Sequence, residues 1–383
     1  MTRTLETQEP IIVVGAEFQV QRRLPRSGEL LVQAGDRVEP ATAVANLNSG
    51  SGGVILHVVR DLNIMPEALP RALSKPVGSR FKAGESVARV RRGLRTVSVD
   101  APVSGTLEEI NEAAGTATLV PDGGQESLSA LVFGEVAAVV DNREVTIRAE
   151  GDRLRGTLLL GGDAVGALRL AVDRHDRELT PDGVTADMRG AVVLGGMTVG
   201  ALALRRLAEV GARAVIVGSM AEAEVRRVAG TGAEPPVAQF WEPYSLGARF
   251  SPEAAALPLP VFVTEGFGRR PMAPPIFEFL GEHEGQIVGV AAADSAAPPA
   301  YPLLYLTMAN GRSSGPVERI APAEGVLARL VDPQHLGNVV VCRSGSTWER
   351  AESGVDRELV EVELSGGVRR QVPLANLEIL RAG

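Results

Sequence analysis

Three apolar runs in the middle of the chain each stop at glycine or a small polar residue, and these stops hold the residues best suited to gripping a ligand. Ala191 to Leu194 breaks at Gly195-Gly196 with Thr198 just beyond, and Ala214 to Val217 breaks at Gly218-Ser219. Val261 to Thr264 runs into Glu265-Gly266-Phe267-Gly268, followed by Arg269 and Arg270. Backbone amides in such turns, together with a following helix N-terminus, can hold a phosphate or carboxylate, and the arginines add full positive charge. Glu265 could bind a hydroxyl or a metal-bound water. The expected ligand-binding set is therefore Gly195, Gly196, Thr198, Gly218, Ser219, Thr264, Glu265, Gly266, Gly268 and Arg269, serving a small anion such as a nucleotide or phosphorylated metabolite. Gly195 to Gly200 is neither a dinucleotide fingerprint nor a P-loop, because it lacks the G-x-G-x-x-G spacing and the P-loop lysine. Glycine is also what a tight strand-to-helix turn needs on steric grounds alone.

Other reactive side chains do not assemble into a catalytic set. Ser219 follows glycine without the G-x-S-x-G elbow. The histidines His57, His175, His283 and His335 are scattered. His57 in VILHVV reads as a hydrogen-bonded strand residue, and His175 lies in the alternating charges of Asp173 to Glu178, which read as a solvated turn. His283 has Glu282 and Glu284 beside it, but adjacent residues do not share a face. No metal and no cofactor are expected, and no catalytic activity is assigned.

The elements that must position the three stops form a β-α-β unit with a third strand. Thr198 to Val210 carries Val199, Leu202, Leu204, Leu207 and Val210 at helical spacing before Gly211. A helix between two continuous apolar strands reads as a crossover onto a parallel sheet, with the turns gathered at its carboxyl edge. A second helix is expected over Ala221 to Val228, then a Pro-rich passage with Phe240, Trp241, Tyr244 and Phe250, and a further helix after Pro274-Pro275. Upstream, Gly134 to Val172 alternates apolar and polar residues between turn signals at Asp141-Asn142, Gly151-Asp152 and Gly161-Gly162-Asp163, as in a meander or small sheet.

The N-terminal part repeats a local pattern: Ala34-Gly35-Asp36-Arg37-Val38 and Ala83-Gly84-Glu85-Ser86-Val87, each followed by a glycine-led strand. KAGESVARV followed by DAPVSGTLEEI, with Ala101-Pro102 and Gly105 as its specific part, resembles the biotinyl/lipoyl-like barrel-sandwich family over residues 10–122. That family's carriers hold their cofactor on a hairpin lysine. The corresponding position here is Leu94, so the resemblance implies the barrel without the swinging arm, and a biotin or lipoyl carrier role is nearly excluded. After an RSSGP linker (Arg312 to Pro316), LARLVDPQHLGNVVVC and VRRQVPLANLEIL resemble the KOW/Tudor-type small barrels, with Asp332-Pro333 where that family has Gly-Pro. Trp348 is expected to pack in that barrel's core.

Length and composition agree with a multi-domain chain. Its 383 residues exceed one ordinary core, and 43 glycines with 25 prolines point to many turns and short strands. A net charge of −8 and acidic residues Glu358, Glu361 and Glu363 disfavour nucleic acid and anionic membrane as partners. One cysteine, Cys342, precludes an intrachain disulfide, and the polar start MTRTLETQEP has no apolar run, so a cytoplasmic location is expected.

The expected fold is multi-domain and mainly β with a central α/β unit. It comprises a biotinyl/lipoyl-like barrel-sandwich hybrid (1–125), a β meander or small sheet (126–180), a Rossmann-like unit of three parallel strands with trailing strands (181–311) and a small C-terminal β-barrel (312–383). The expected function is that of a scaffold or assembly protein acting through its barrels on a protein partner, with self-association into a homo-oligomer open. The alternative is an enzyme or sensor for a small anionic ligand at the sheet edge.

Overall fold

The computed structural model describes residues 7–24, 28–47, 54–93, 95–121, 126–140, 143–221, 223–224, 257–292, 301–309, 311, 315–332, 335–350 and 354–381. The chain is mainly β, and its sheets curl into half-barrels. Most of the expected Ala221 to Val228 helix, the aromatic passage from Phe240 to Phe250, the Asp141-Asn142 turn, Pro333 and Leu94 lie outside the described residues.

The largest sheet has 11 strands and draws on three of the four expected units. From one edge it runs Leu158–Leu160, Val261–Phe267, Ala214–Met220, Ala191–Leu194, Ala164–Leu170, Ile287–Ala291, Leu303–Thr307, Glu144–Arg155, Gly134–Val140 and Arg37–Val38, with Ile12–Arg23 also paired to Glu144–Arg155. The three expected parallel strands are present in adjacent order, and Ala164–Leu170 adds a fourth, parallel to Ala191–Leu194. The expected meander is not formed: Gly134–Val140 pairs with Glu144–Arg155, but Leu158–Leu160 pairs with Val261–Phe267 and Ala164–Leu170 lies between Ala191–Leu194 and Ile287–Ala291. Full burial of AVVL and of Ala214 to Met220 explains why they read as unbroken apolar runs.

Local differences from the sequence reading have physical causes. The helix begins at Ala201, because Thr198–Val199 is taken up as a short parallel strand against Glu178–Leu179. Its buried face is Ala201, Ala203, Leu204 and Leu207, while Leu202 is 69% exposed. Gly151-Asp152 is no turn: Glu144–Arg155 runs straight through it, and a Cβ on Gly151 would lie 2.5 Å from the Leu306 carbonyl oxygen, so the glycine permits close approach of the next strand. His57 is exposed and stands just before a short helix, Val58–Leu62, without a side-chain capping bond, instead of lying in a strand. Trp348 is 41% exposed on Thr347–Arg350, an edge strand in which every residue is exposed, so it does not enter the core.

The N-terminal segment from Val54 to Pro121 has a core of its own, including Leu62, Leu69, Phe81, Val87, Leu107 and Leu119. Within it Ser86–Arg92 and Arg95–Asp100 form a hairpin, which a bridge between Leu73 and Ala88 ties to the rest of the module. The C-terminal segment forms a 6-stranded sheet around Ala328, Leu330, Val340, Cys342, Val360 and Ile379. It is fastened to the central sheet: Leu380 belongs to the central core, and the Ile11 amide donates to the Ile379 carbonyl at 2.9 Å. Cys342 is fully buried there, and burial pushes its thiol up to about 11.

Candidate functional site

The three strand ends do converge. Ser219 pairs with Gly266, and the Gly218 amide donates to the Gly196 carbonyl at 2.7 Å. Two segments of the chain then cross the space above them. The first is Arg174 to Arg177: Gly196 has φ +66°, and a Cβ there would lie 2.5 Å from the Arg177 carbonyl oxygen. The second is Gly268 to Ala273, packed so closely that a Cβ on Gly218 would lie 2.6 Å from the Met272 nitrogen. The two crossings are tied together by His175, whose Nδ1 lies 2.9 Å from the Met272 carbonyl oxygen, and by the Met272 amide donating to the His175 carbonyl at 3.2 Å.

Ser219 and Arg269 hold these crossings in place. Ser219 is fully buried; its hydroxyl accepts from the Arg270 amide at 2.7 Å and donates to the Arg270 carbonyl at 3.0 Å. Thr198 and Thr264 are buried. Arg269 is on the surface and donates to Glu178 at 2.8 Å. Gly195 donates its amide to the Ile216 carbonyl, and Gly268 its amide to the Met220 carbonyl. Gly266 and Gly268, with φ +94° and +115°, supply the reversal that leads Val261–Phe267 into the second crossing.

Two helix N-termini at this edge carry a carboxylate of the chain itself. The helix Ala201–Val210 has Glu224 at its start, with Oε2 accepting from the Ala201 amide at 2.9 Å. The helix Pro274–Glu282 has Glu265, whose Oε1 accepts from the Ala273 amide at 3.0 Å. Helix N-termini favour negative charge through their unpaired amides and aligned dipoles, and here that preference is met internally.

Glu265 has a second task. Its Oε2 accepts from Arg329 at 2.8 Å, and Arg329 also donates to Glu378 at 2.7 Å and to the Thr264 carbonyl at 3.0 Å. Arg329 comes from the C-terminal sheet and its side chain is 7% exposed, so this is a buried ionic joint between that sheet and the central one. Burial works against its charge, but Glu265 and Glu378 outweigh burial and hold the guanidinium above its ordinary pKa. Burial raises the pKa of Glu378, and the opposing charges of Arg329 and Arg155 bring it below the ordinary carboxylate value.

Glu224, Arg329 and Glu378 were not among the residues expected at the site. Arg329 leaves a trace in the sequence as the lone charge in the apolar run VLARLV, whereas nothing local marks Glu224 or Glu378. The unexpected pair His283 and Asp152 lies elsewhere, at 2.8 Å. Among the described residues no group of three or more His, Cys, Asp or Glu is placed to hold a metal ion, and no helix is long and apolar enough to cross a membrane. Comparison with protein-family models, with curated proteins and with solved structures gave no match.

Proposed function

We propose that the chain is a cytoplasmic scaffold or assembly protein without catalysis of its own. In this reading a biotinyl/lipoyl-like barrel-sandwich module and a KOW/Tudor-like small barrel are mounted on a Rossmann-like central unit. The observation that carries it is the occupation of two helix N-termini at the sheet edge by Glu224 and Glu265. Groups that could have gripped a ligand instead bind the chain to itself, and Arg329 draws the C-terminal module into the same joint.

The surface best suited to a partner is the hairpin of Ser86–Arg92 and Arg95–Asp100. Arg89 and Arg91 are exposed and stand opposite Ser98 and Thr96, with no acid in either cross-strand pair. Arg92, at the tip, donates to the Leu62 and Asn63 carbonyls and so braces the hairpin against its own module. A braced basic strand face on a chain of net charge −8 fits an acidic protein surface.

Native size-exclusion of cell extract tests the reading. The chain is expected to elute in an assembly larger than itself, and Arg89→Glu combined with Arg91→Glu should release it. Thermal stability should change by less than about 0.5 kcal/mol, as for exposed positions in general. Elution of the wild type as a free chain, or an assembly that survives the double reversal, would sink the proposal.

A further inference from the structure

A cavity of about 230 Å³ opens beside the Arg329 joint, between the central sheet and the C-terminal module. Its charged lining is Arg155, Arg270, Arg329, Glu265 and Glu378, three cations against two carboxylates. Arg329 consumes both carboxylates in hydrogen bonds of 2.8 and 2.7 Å. Arg155 is held loosely, 3.6 Å from Glu378, with its guanidinium over the Tyr301 ring at 4.8 Å from the centroid. Arg270 is fixed at its backbone by Ser219, and among the described residues its guanidinium has no hydrogen bond and no ion pair. The cavity therefore carries one positive charge in excess, on guanidinium groups whose planar forks match a carboxylate.

We propose that this cavity binds a small monocarboxylate with a short apolar or aromatic body. Its volume lies below the range of drug-sized pockets, about 300–1,000 Å³, which restricts the ligand to a small molecule. The carboxylate meets Arg270 and Arg155, and the body lies against Tyr301, Leu330 and Leu336, which line the same space. A second negative charge would face Glu265 and Glu378 without a free cation, so a phosphate dianion is disfavoured. This site shares Glu265 and Arg270 with the third glycine turn, opens toward the C-terminal module and is independent of the hairpin: failure of either test leaves the other standing.

Thermal melting of the full chain with butyrate and with benzoate is the test, against butyramide, benzamide, inorganic phosphate and sodium chloride at matched ionic strength. The melting midpoint should rise with at least one carboxylate and with neither amide, because a ligand of the folded state stabilises it by mass action. Arg270→Ala should weaken binding by at least about 10-fold, as expected for a lost charge-assisted hydrogen bond. Arg270→Gln, which retains most of the side-chain length, repeats the measurement should the alanine loosen the crossing segment. No rise with either carboxylate, an equal rise with phosphate or chloride, or an unchanged response in both variants would overturn the proposal.

Discussion

His283 shows how a residue can be structural although its neighbours look chemical. Its Nε2 lies 2.8 Å from Asp152 and its Nδ1 2.7 Å from the Phe279 carbonyl oxygen. Both partners are acceptors, an arrangement that favours the doubly protonated ring. The hydrogen bond to Asp152 is the main cause of its raised pKa, opposed by burial and assisted by the Phe279 carbonyl and Glu282. The folded state therefore holds this proton more tightly than the unfolded chain. The stabilisation is complete below the unfolded value of about 6.5 and is lost as pH rises through the raised folded value. Urea midpoints should fall as pH rises above about 6.5 in the wild type, and His283→Gln should flatten that dependence. A variant with the wild-type slope would rule His283 out as its source. The sequence displayed Glu282 and Glu284 beside His283, whereas the partner that matters, Asp152, comes from a strand far away in the chain; charge proximity along the sequence was the wrong guide.

Single elements were more legible, because burial pattern and glycine placement are local. The apolar runs at 191, 214 and 261 became parallel strands, and Pro274-Pro275 opened a helix as expected. The glycine inside Val288-Gly289-Val290 carries a similar local signal, since glycine within a strand marks close backbone approach. A Cβ on Gly289 would lie 2.0 Å from the Leu131 carbonyl oxygen. Leu131 is itself buried with φ +70°, a conformation uncommon for a branched side chain, so it has little room to yield. Gly289→Ala should cost about 3 kcal/mol, the upper part of the range for overpacking, read from denaturant unfolding. A loss below about 0.5 kcal/mol would show that the Leu131 segment moves aside freely. Turn signals were less dependable: Gly151-Asp152 looked like a hairpin and serves instead to let Leu303–Thr307 approach Glu144–Arg155.

For the whole molecule, the decisive pairings are long-range and leave no periodic trace. Ile12–Arg23 pairs with Glu144–Arg155 along most of its length, binding the start of the chain into the sheet that also holds the parallel strands. The buried joint of Arg329 with Glu265 and Glu378 likewise joins segments that read as separate units. Removing the cation would leave two carboxylates at a desolvated interface, so Arg329→Met should destabilise the docked C-terminal module by about 3–5 kcal/mol. Cys342 turns that expectation into a rate. It is the sole thiol of the chain, fully buried in the C-terminal core with its pKa pushed up to about 11, so a thiol reagent can reach it only when that core opens. Modification of Cys342 should be slow in the wild type and much faster in Arg329→Met, and equal rates would show that the ionic joint does not govern opening. The protein thus carries its own clock for the loosening of one module, readable without label or engineered cysteine.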